Sequence, residues 1–292
     1  MNRARKAFGI AAAAAIIAIA AAHPAGAQHN PETDFAFTRT SDLGGVIITG
    51  FAGTRTDVSI PPEIRGLPVV EIAPGAFAQT NQWGEALQGN LTSVVIPDSV
   101  RTIGENAFAH NRLTSAAIGS GVTNIGQRAF AGNQLDSVVI PDSVTSIGGG
   151  AFENNRLTSL SIGSGVAQIS WRAFADNQLA GVTIPDSVTS IGHSAFENNR
   201  LTDVTLGNSV ASIEERAFAN NQLASLTLPN SVRWIRWGAF GGNQLASITI
   251  GAGLSFNEWD ESLPQGFIAT YSQSSRRADT CVLRGNAWQE EW

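Results

Sequence analysis

The sequence predicts a solenoid, an α/β-type but mostly β stack of about nine short rungs whose strands pair from rung to rung, with a hairpin cap at each end. Three observations predict it. Leucine, isoleucine, phenylalanine and asparagine recur at a fixed step of twenty-two through most of the chain, as at Leu135, Leu157 and Leu179. Glycine and proline return to the same place in each unit, where the backbone must turn. The segments on either side lack the repeat and alternate like short hairpins. A fixed period of about 20–50 residues at several anchor positions marks stacked units, each hiding its neighbours' apolar face.

The elements follow in chain order. Arg3, Arg5 and Lys6 precede an apolar run from Ala7 to Ala22 and the stretch "PAGA", with Ala25 and Ala27 in the −3 and −1 places before Gln28. A basic head, a short apolar middle and an A-x-A end describe a secretory signal peptide, residues 1–27, cut after Ala27. The run is short and alanine-rich for a membrane span, and no second long apolar stretch follows. The mature chain is therefore expected to be exported without a membrane span, to the periplasm, the cell surface or the medium. Cleavage leaves 15 basic residues against 24 acidic ones, moving the formal charge from −6 to −9. An acidic chain lacks the basic footprint that nucleic acid or anionic lipid requires, so no nucleic-acid partner is expected. Cys281 is the only cysteine, which excludes an internal disulfide and favours simple burial.

Residues 28–56 read as an N-terminal β cap, in which Phe35 to Phe51, "FAFTRTSDLGGVIITGF", is a hairpin turning at "DLGG". The array occupies residues 57–250. Its phenylalanines are Phe108, Phe130, Phe152, Phe174, Phe196, Phe218 and Phe240, and its asparagines Asn111, Asn133, Asn155, Asn177, Asn199, Asn221 and Asn243. In one unit, "LTSLSI" (Leu157 to Ile162) is a short strand with Leu160 and Ile162 pointing to one side. "GSGV" or "PDSV" then turns the chain, and "VTSI" and "AF" bring further apolar groups inward. The asparagine that follows each phenylalanine, as Asn133 follows Phe130, suits a tight turn and can bond backbone groups of the adjacent rung. One rung alone buries too little to offset the entropy of ordering its backbone, so the rungs must fold as an array.

Some positions repeat at twice that step instead. "IPDSVTSIGGGAFENNRLT" (Ile140 to Thr158) returns as "IPDSVTSIGHSAFENNRLT" (Ile184 to Thr202). Asp98, Asp142 and Asp186 alternate with Ser120 and Ser164, while Arg112, Arg156 and Arg200 alternate with Gln134 and Gln178. Arg128, Arg172 and Arg216 also fall on every second rung. Rungs about 4.8 Å apart would otherwise stack like charges; alternation doubles their separation to roughly 10 Å, near one Debye length. Duplication of a two-rung segment accounts for how the copies arose.

The pattern L-x-x-[VLA]-x-[IL]-[PG]-x-x-V-x-x-I-x-x-x-A-F-x-x-N, running from Leu91 to about Ile250, resembles the BspA-type leucine-rich repeats of bacterial surface proteins. A degenerate first unit, "DVSIPPEIRGLPVVEIAPGAF" (Asp57 to Phe77), resembles that family's opening rung with an extra "RGLPV" loop, and an insertion around Trp83 separates it from the array. Where the general leucine-rich pattern carries Asn or Cys, this chain has Gly165 or Ser143. The resemblance implies a right-handed leucine-rich-repeat stack with its parallel sheet on one face and short irregular segments on the other. It also implies a role as an adhesin-like surface recognition protein. Residues 251–292 read as a C-terminal β-hairpin cap built from "GFIATY" (Gly266 to Tyr271) and "RRADTCVL" (Arg276 to Leu283), followed by Trp288.

The chemical inventory is sparse. His23 falls in the signal segment and His29 just beyond it, while His110 and His193 occupy different places in well-separated units. No nucleophile elbow, phosphate-binding loop or zinc-ligand spacing is present, so no catalytic residue, cofactor or metal is expected and the chain is not read as an enzyme. Glu214 and Glu215 fit a solvated turn; Glu258, Asp260 and Glu261 surround Trp259 in the cap with no basic partner nearby. The outward sheet positions are small and weakly polar, as at Ser159 and Ser161.

Aromatic contacts are offered elsewhere. Trp171, His193, Glu215 and Trp237 take the same place in successive units, with Trp234 just before the isoleucine of the last. Trp171, Trp234 and Trp237 are the candidate contacts for a protein or glycan ligand; packing of Trp234 and Trp237 beneath the C-terminal cap is the alternative. The expected role is an exported, monomeric, non-enzymatic binding scaffold. The alternatives are a ligand-free envelope spacer, or a surface that binds ice through rows such as Thr183, Thr205, Thr227 and Thr249.

Overall fold

The computed structural model describes residues 29–80, 86–250, 280–284 and 287–291. The signal segment, Trp83, the acids around Trp259 and the "GFIATY" stretch lie outside them. The described chain is a mostly β solenoid of about nine turns with parallel sheets and almost no helix.

Three columns of backbone hydrogen bonds hold successive rungs together. The first joins short strands, including Ser93–Val95, Ser115–Ala117, Ser137–Val139 and Ser159–Ser161. They pair parallel in small groups, offset by one repeat, Ser115 opposite Ser93 and Ser159 opposite Ser137, with no strand pairing between Ser115–Ala117 and Ser137–Val139. Their middle residues point inward: Val94, Val138, Val182 and Leu226 are buried, and Ala116, Leu160 and Val204 between them are half-buried. The second column corrects the expectation of irregular segments on the opposite face. Two-residue strands such as Thr102–Ile103, Asn124–Ile125 and Ser146–Ile147 form a second parallel ladder there, in the same register. Each sends its isoleucine into the core, and the next residue's N–H donates to the isoleucine carbonyl one rung back, as Gly126 does to Ile103 at 2.8 Å. In the third column Phe130 N–H donates to Ala151 at 2.8 Å and Phe152 to Ala173 at 2.9 Å.

Inside, the phenylalanines stack ring on ring. From Phe77 to Phe240 consecutive centroids lie 4.7–5.6 Å apart with planes 3–19° from parallel. Phe108, Phe130, Phe152, Phe174, Phe196 and Phe218 are fully buried, and Phe240 nearly so. Each asparagine bonds backbone at the turn beside this stack. Asn133 Nδ2 donates to the carbonyls of Phe108 and Phe130 at 2.9 and 3.0 Å, while its Oδ1 accepts from Leu113 N–H at 3.0 Å. Asn111, Asn155, Asn177, Asn199 and Asn221 repeat these contacts in the core and Asn243 does so half-buried. These buried amides meet backbone groups that the turn would otherwise leave unpaired.

At the N-terminal end Phe35–Arg39 and Val46–Phe51 form an antiparallel hairpin, and its second strand continues the isoleucine ladder by pairing parallel with Leu67–Ile72. Phe51 lies 5.6 Å from Phe77 and Phe35 lies 5.5 Å from Phe51, closing the aromatic column. The "RGLPV" segment is a tight hairpin rather than a loop: Glu63–Ile64 pairs with Leu67–Pro68 across Arg65 and Gly66, both at positive φ (52° and 73°). The C-terminal pairing also differs from expectation. Thr280–Arg284 pairs antiparallel with Ser247–Thr249 on one side and with Ala287–Glu291 on the other. The partner of "TCVL" is therefore the strand that contains Trp288, whose charged tail hides its strand character from a hydrophobicity scan.

Candidate binding surfaces

Two surfaces and one hollow are candidates. The first carries the tryptophans. Trp171 and Trp237 occupy one column three rungs apart, about 14 Å at the strand spacing. His193 and Glu215 fill the rungs between them, with Nδ1 and Oε2 4.0 Å apart. Trp171 is 39% exposed, Trp234 53% and Trp237 47%. Trp234 faces outward because its neighbour Ile235 takes the inward place in the two-residue strand Trp234–Ile235. Trp171 has a constructed seat. A Cβ on Gly149 would lie 2.0 Å from the indole, so that glycine lets the ring lie over the preceding rung. The isoleucine ladder breaks at the same level, where the Ser170 hydroxyl donates to the Ile147 carbonyl at 2.5 Å. Arg236 Nε stands 3.7 Å from Glu214 Oε2 beside the other two indoles.

The second surface is an ion-pair chain along a turn edge. Arg172 bonds Glu153 Oε1 on the preceding rung at 3.0 and 2.8 Å, Asp176 at 2.6 Å, and stands 3.8 Å from Glu197 on the following rung. Arg216 in turn bonds Glu197. Opposite charges thus occupy alternate rungs, Glu153–Arg172–Glu197–Arg216. The sequence holds the signal, since Glu153 and Glu197 share the two-rung step of the arginines. The hydrogen bond from Arg172 to Glu153 is the largest cause raising the Arg172 pKa. Burial pushes the Glu197 carboxyl up, but hydrogen bonds from Arg216 and Ser194 and the charges of Arg216 and Arg172 outweigh it and hold the group below the usual carboxylate range.

The alternating aspartates have a further role beyond charge spacing. Asp98 Oδ1 accepts from the N–H and hydroxyl of Ser120 at 2.7 and 3.0 Å; Asp142 does the same with Ser164, and Asp186 accepts from Asn208 N–H at 2.7 Å. The acceptor on one rung needs a donor, not a second carboxylate, on the next. The Ser164 N–H, with its hydroxyl, lowers the Asp142 pKa.

The hollow, about 510 Å³, lies at the N-terminal end and is lined in part by Thr54, Arg55, Thr92 and Arg112. Among the described residues no three His, Cys, Asp or Glu side chains are grouped to hold a metal, and no helix is long and apolar enough to cross a membrane.

The family model for the BspA type Leucine rich repeat region matches in six copies over residues 86–201 and 189–261. The chain belongs to this family. Similar solved structures include a leucine rich cell surface protein from Faecalibacterium prausnitzii, 28% identical over 76% of this chain with a TM-score of 0.48; this BspA-type chain spans 54% of its length. The leucine rich repeat protein of T. pallidum is 25% identical over 85% of this chain and 96% of its own, TM-score 0.49. The pneumococcal vaccine antigen PcpA is 19% identical over 74% of this chain and 82% of its own, TM-score 0.46. No curated protein matches.

Proposed function

We propose that this BspA-type chain is an exported, monomeric, non-enzymatic scaffold that binds a protein or glycan ligand outside the cytoplasm. The observation that supports the reading is the trio Trp171, Trp234 and Trp237. Three large indoles stand exposed on a rigid ladder, one of them seated over a glycine that makes room for it. Tryptophan is strongly enriched among binding hot spots, because a rigid ring desolvates a large area at small entropic cost. The signal-like segment ending at Ala27 supports export, and family membership supports a recognition role. Screening the chain against arrayed glycans and proteins tests the reading. The wild type retains a ligand, and the double variant Trp234→Ala, Trp237→Ala weakens it at least about tenfold, the effect of hot-spot truncation. Uniform failure of the wild type to bind overturns the scaffold reading; retention by the double variant moves the contact elsewhere.

A further inference from the structure

We propose that Arg112, Arg156 and Arg200 form a contact row for an extended anionic polysaccharide bearing one acid group per disaccharide. The inference goes beyond the tryptophan reading and uses a different edge of the solenoid.

The row occupies the residue immediately before the recurring leucine. Down that column stand Asn90, Arg112, Gln134, Arg156, Gln178 and Arg200, all donors and none a carboxylate. Each arginine is exposed, but its backbone is fixed. The N–H groups of Arg112, Arg156 and Arg200 donate to Leu91, Leu135 and Leu179 one rung back at 2.9, 3.1 and 3.0 Å, and a buried asparagine precedes each. The side chains therefore project from a preorganised edge, which lowers the cost of binding.

The neighbouring arginines give the row its meaning. Arg172 and Arg216 follow the same two-rung repeat and are consumed by Glu153, Asp176 and Glu197, whereas Arg128, the third arginine of that column, is exposed and makes no such pair. Arg112, Arg156 and Arg200 make no side-chain hydrogen bond or ion pair among the described residues. A guanidinium left open on a rigid edge is a fork for a carboxylate or sulfate.

Pitch selects the partner. Two rungs at about 4.8 Å set the arginines roughly 9.6 Å apart. One disaccharide of an extended uronic-acid chain covers about that distance, so that one acid falls to each exposed arginine. A nucleic-acid strand presents a phosphate about every 3.4 Å, and an extended acidic peptide presents same-face side chains about every 6.8 Å. The peptide falls out of step with three arginines, and the strand, which meets them only at every third phosphate, sets two unpaired phosphates between each pair beside an acidic chain. Gln134 and Gln178 stand opposite the middle of each repeat, where amides can donate to and accept from hydroxyl or acetamido groups. Asp136 and Asp203 flank the row and temper its charge; Asp176, nearby, is held by Arg172 and Asn198. At its N-terminal end the row opens into the hollow beside Arg55 and Thr92.

The test uses the full chain with hyaluronan oligosaccharides, one carboxylate per disaccharide, against dextran, polyglutamate and single-stranded DNA. Hyaluronan binds most tightly at low salt, and added salt weakens it. Each Arg→Gln change costs about threefold and the triple variant at least about tenfold, the range of exposed charge-assisted contacts. Folding is not at risk, because glutamine already fills this column at Gln134 and Gln178. A charge-matched pair, Arg156→Gln with Gln134→Arg, keeps the net charge but breaks the pitch, and binds more weakly than wild type. Trp234→Ala with Trp237→Ala leaves hyaluronan binding unchanged, which separates this row from the tryptophan surface. Hyaluronan bound no better than dextran, a tighter complex with DNA or polyglutamate, or an unaffected triple or charge-matched variant overturns the proposal.

Discussion

Phe152, Phe174 and Phe196 face one another across the core, while Glu153, Arg172 and Glu197 do so at the turn beside it. Both columns obey the same stacking geometry. In the core, identical neighbours are the stable choice, with rings 5.6 and 5.4 Å apart and within 15° of parallel. At the turn, identity would set carboxylate against carboxylate, and the column instead alternates sign. Shape follows the same division. Pro141, Gly163 and Pro185 stack in one column, and a Cβ on Gly163 would lie 2.4 Å from the Pro141 carbonyl oxygen. Columns that bury apolar or amide groups repeat at every rung; columns that carry charge or a ring locked to the backbone repeat at every second rung. The structural unit is one rung, and the complementary unit is two.

Breaking the every-rung column has the largest expected effect. Phe174→Ala opens a hole between Phe152 and Phe196 and costs about 3–5 kcal/mol, measured as a lower urea midpoint. Because rungs contact only their neighbours, the hole also weakens coupling between the two halves of the array, so the denaturation slope falls or the transition splits. A single steep transition displaced by less than about 1 kcal/mol would place the stability elsewhere than in the aromatic stack.

How much of this is legible in the sequence depends on the column. Phenylalanine and asparagine are visible because every rung carries them and nothing else fills their places. The two-residue ladder is not, since Thr102–Ile103 or Ser190–Ile191 is too short to show alternation. The two-rung step is visible, but its chemistry is only half readable. That Asp142 needs a donor in Ser164, and Arg172 an acid in Glu153, requires laying one rung on another in register. The C-terminal hairpin is mispaired on sequence grounds because "GFIATY" looks more strand-like than "AWQEE", although Ala287–Glu291 is the strand that pairs. The exposure of Trp234 is not decidable from sequence, since it depends on what covers the last rung.

The every-second-rung rule is sharpened by two excisions. Removing Pro141 through Ile184, two whole rungs, joins Ile140 to Pro185 and preserves every alternating column. Removing Gly163 through Ile184 takes out a single rung, but lays Pro185 on Pro141, Asp186 on Asp142 and Glu197 on Glu153. Overpacking of this kind costs about 1–3 kcal/mol, and the stacked carboxylates add to it. The shorter excision is expected to melt below the longer one. The opposite order would mean that the two-rung step is a relic of duplication without structural consequence.

The smallest effect separates the columns by pH. Glu197 is held below its ordinary pKa in the folded chain, so its contribution to stability is complete above the unfolded carboxylate value of about 4.3 and disappears as pH falls through the folded value. Asp142, exposed and bonded by Ser164, acts in the same direction. Glu197→Gln is therefore expected to lower the melting temperature by a constant amount from neutrality down to about pH 5, and by progressively less below it. Phe174→Ala carries no ionisable group and lowers it equally across the range. Melting both variants beside the wild type from about pH 7 to about pH 3 distinguishes the columns by slope rather than by size. A Glu197→Gln deficit that stayed constant through the acid range, or widened there, would show that the carboxylate is not the partner that makes alternation of charge stable.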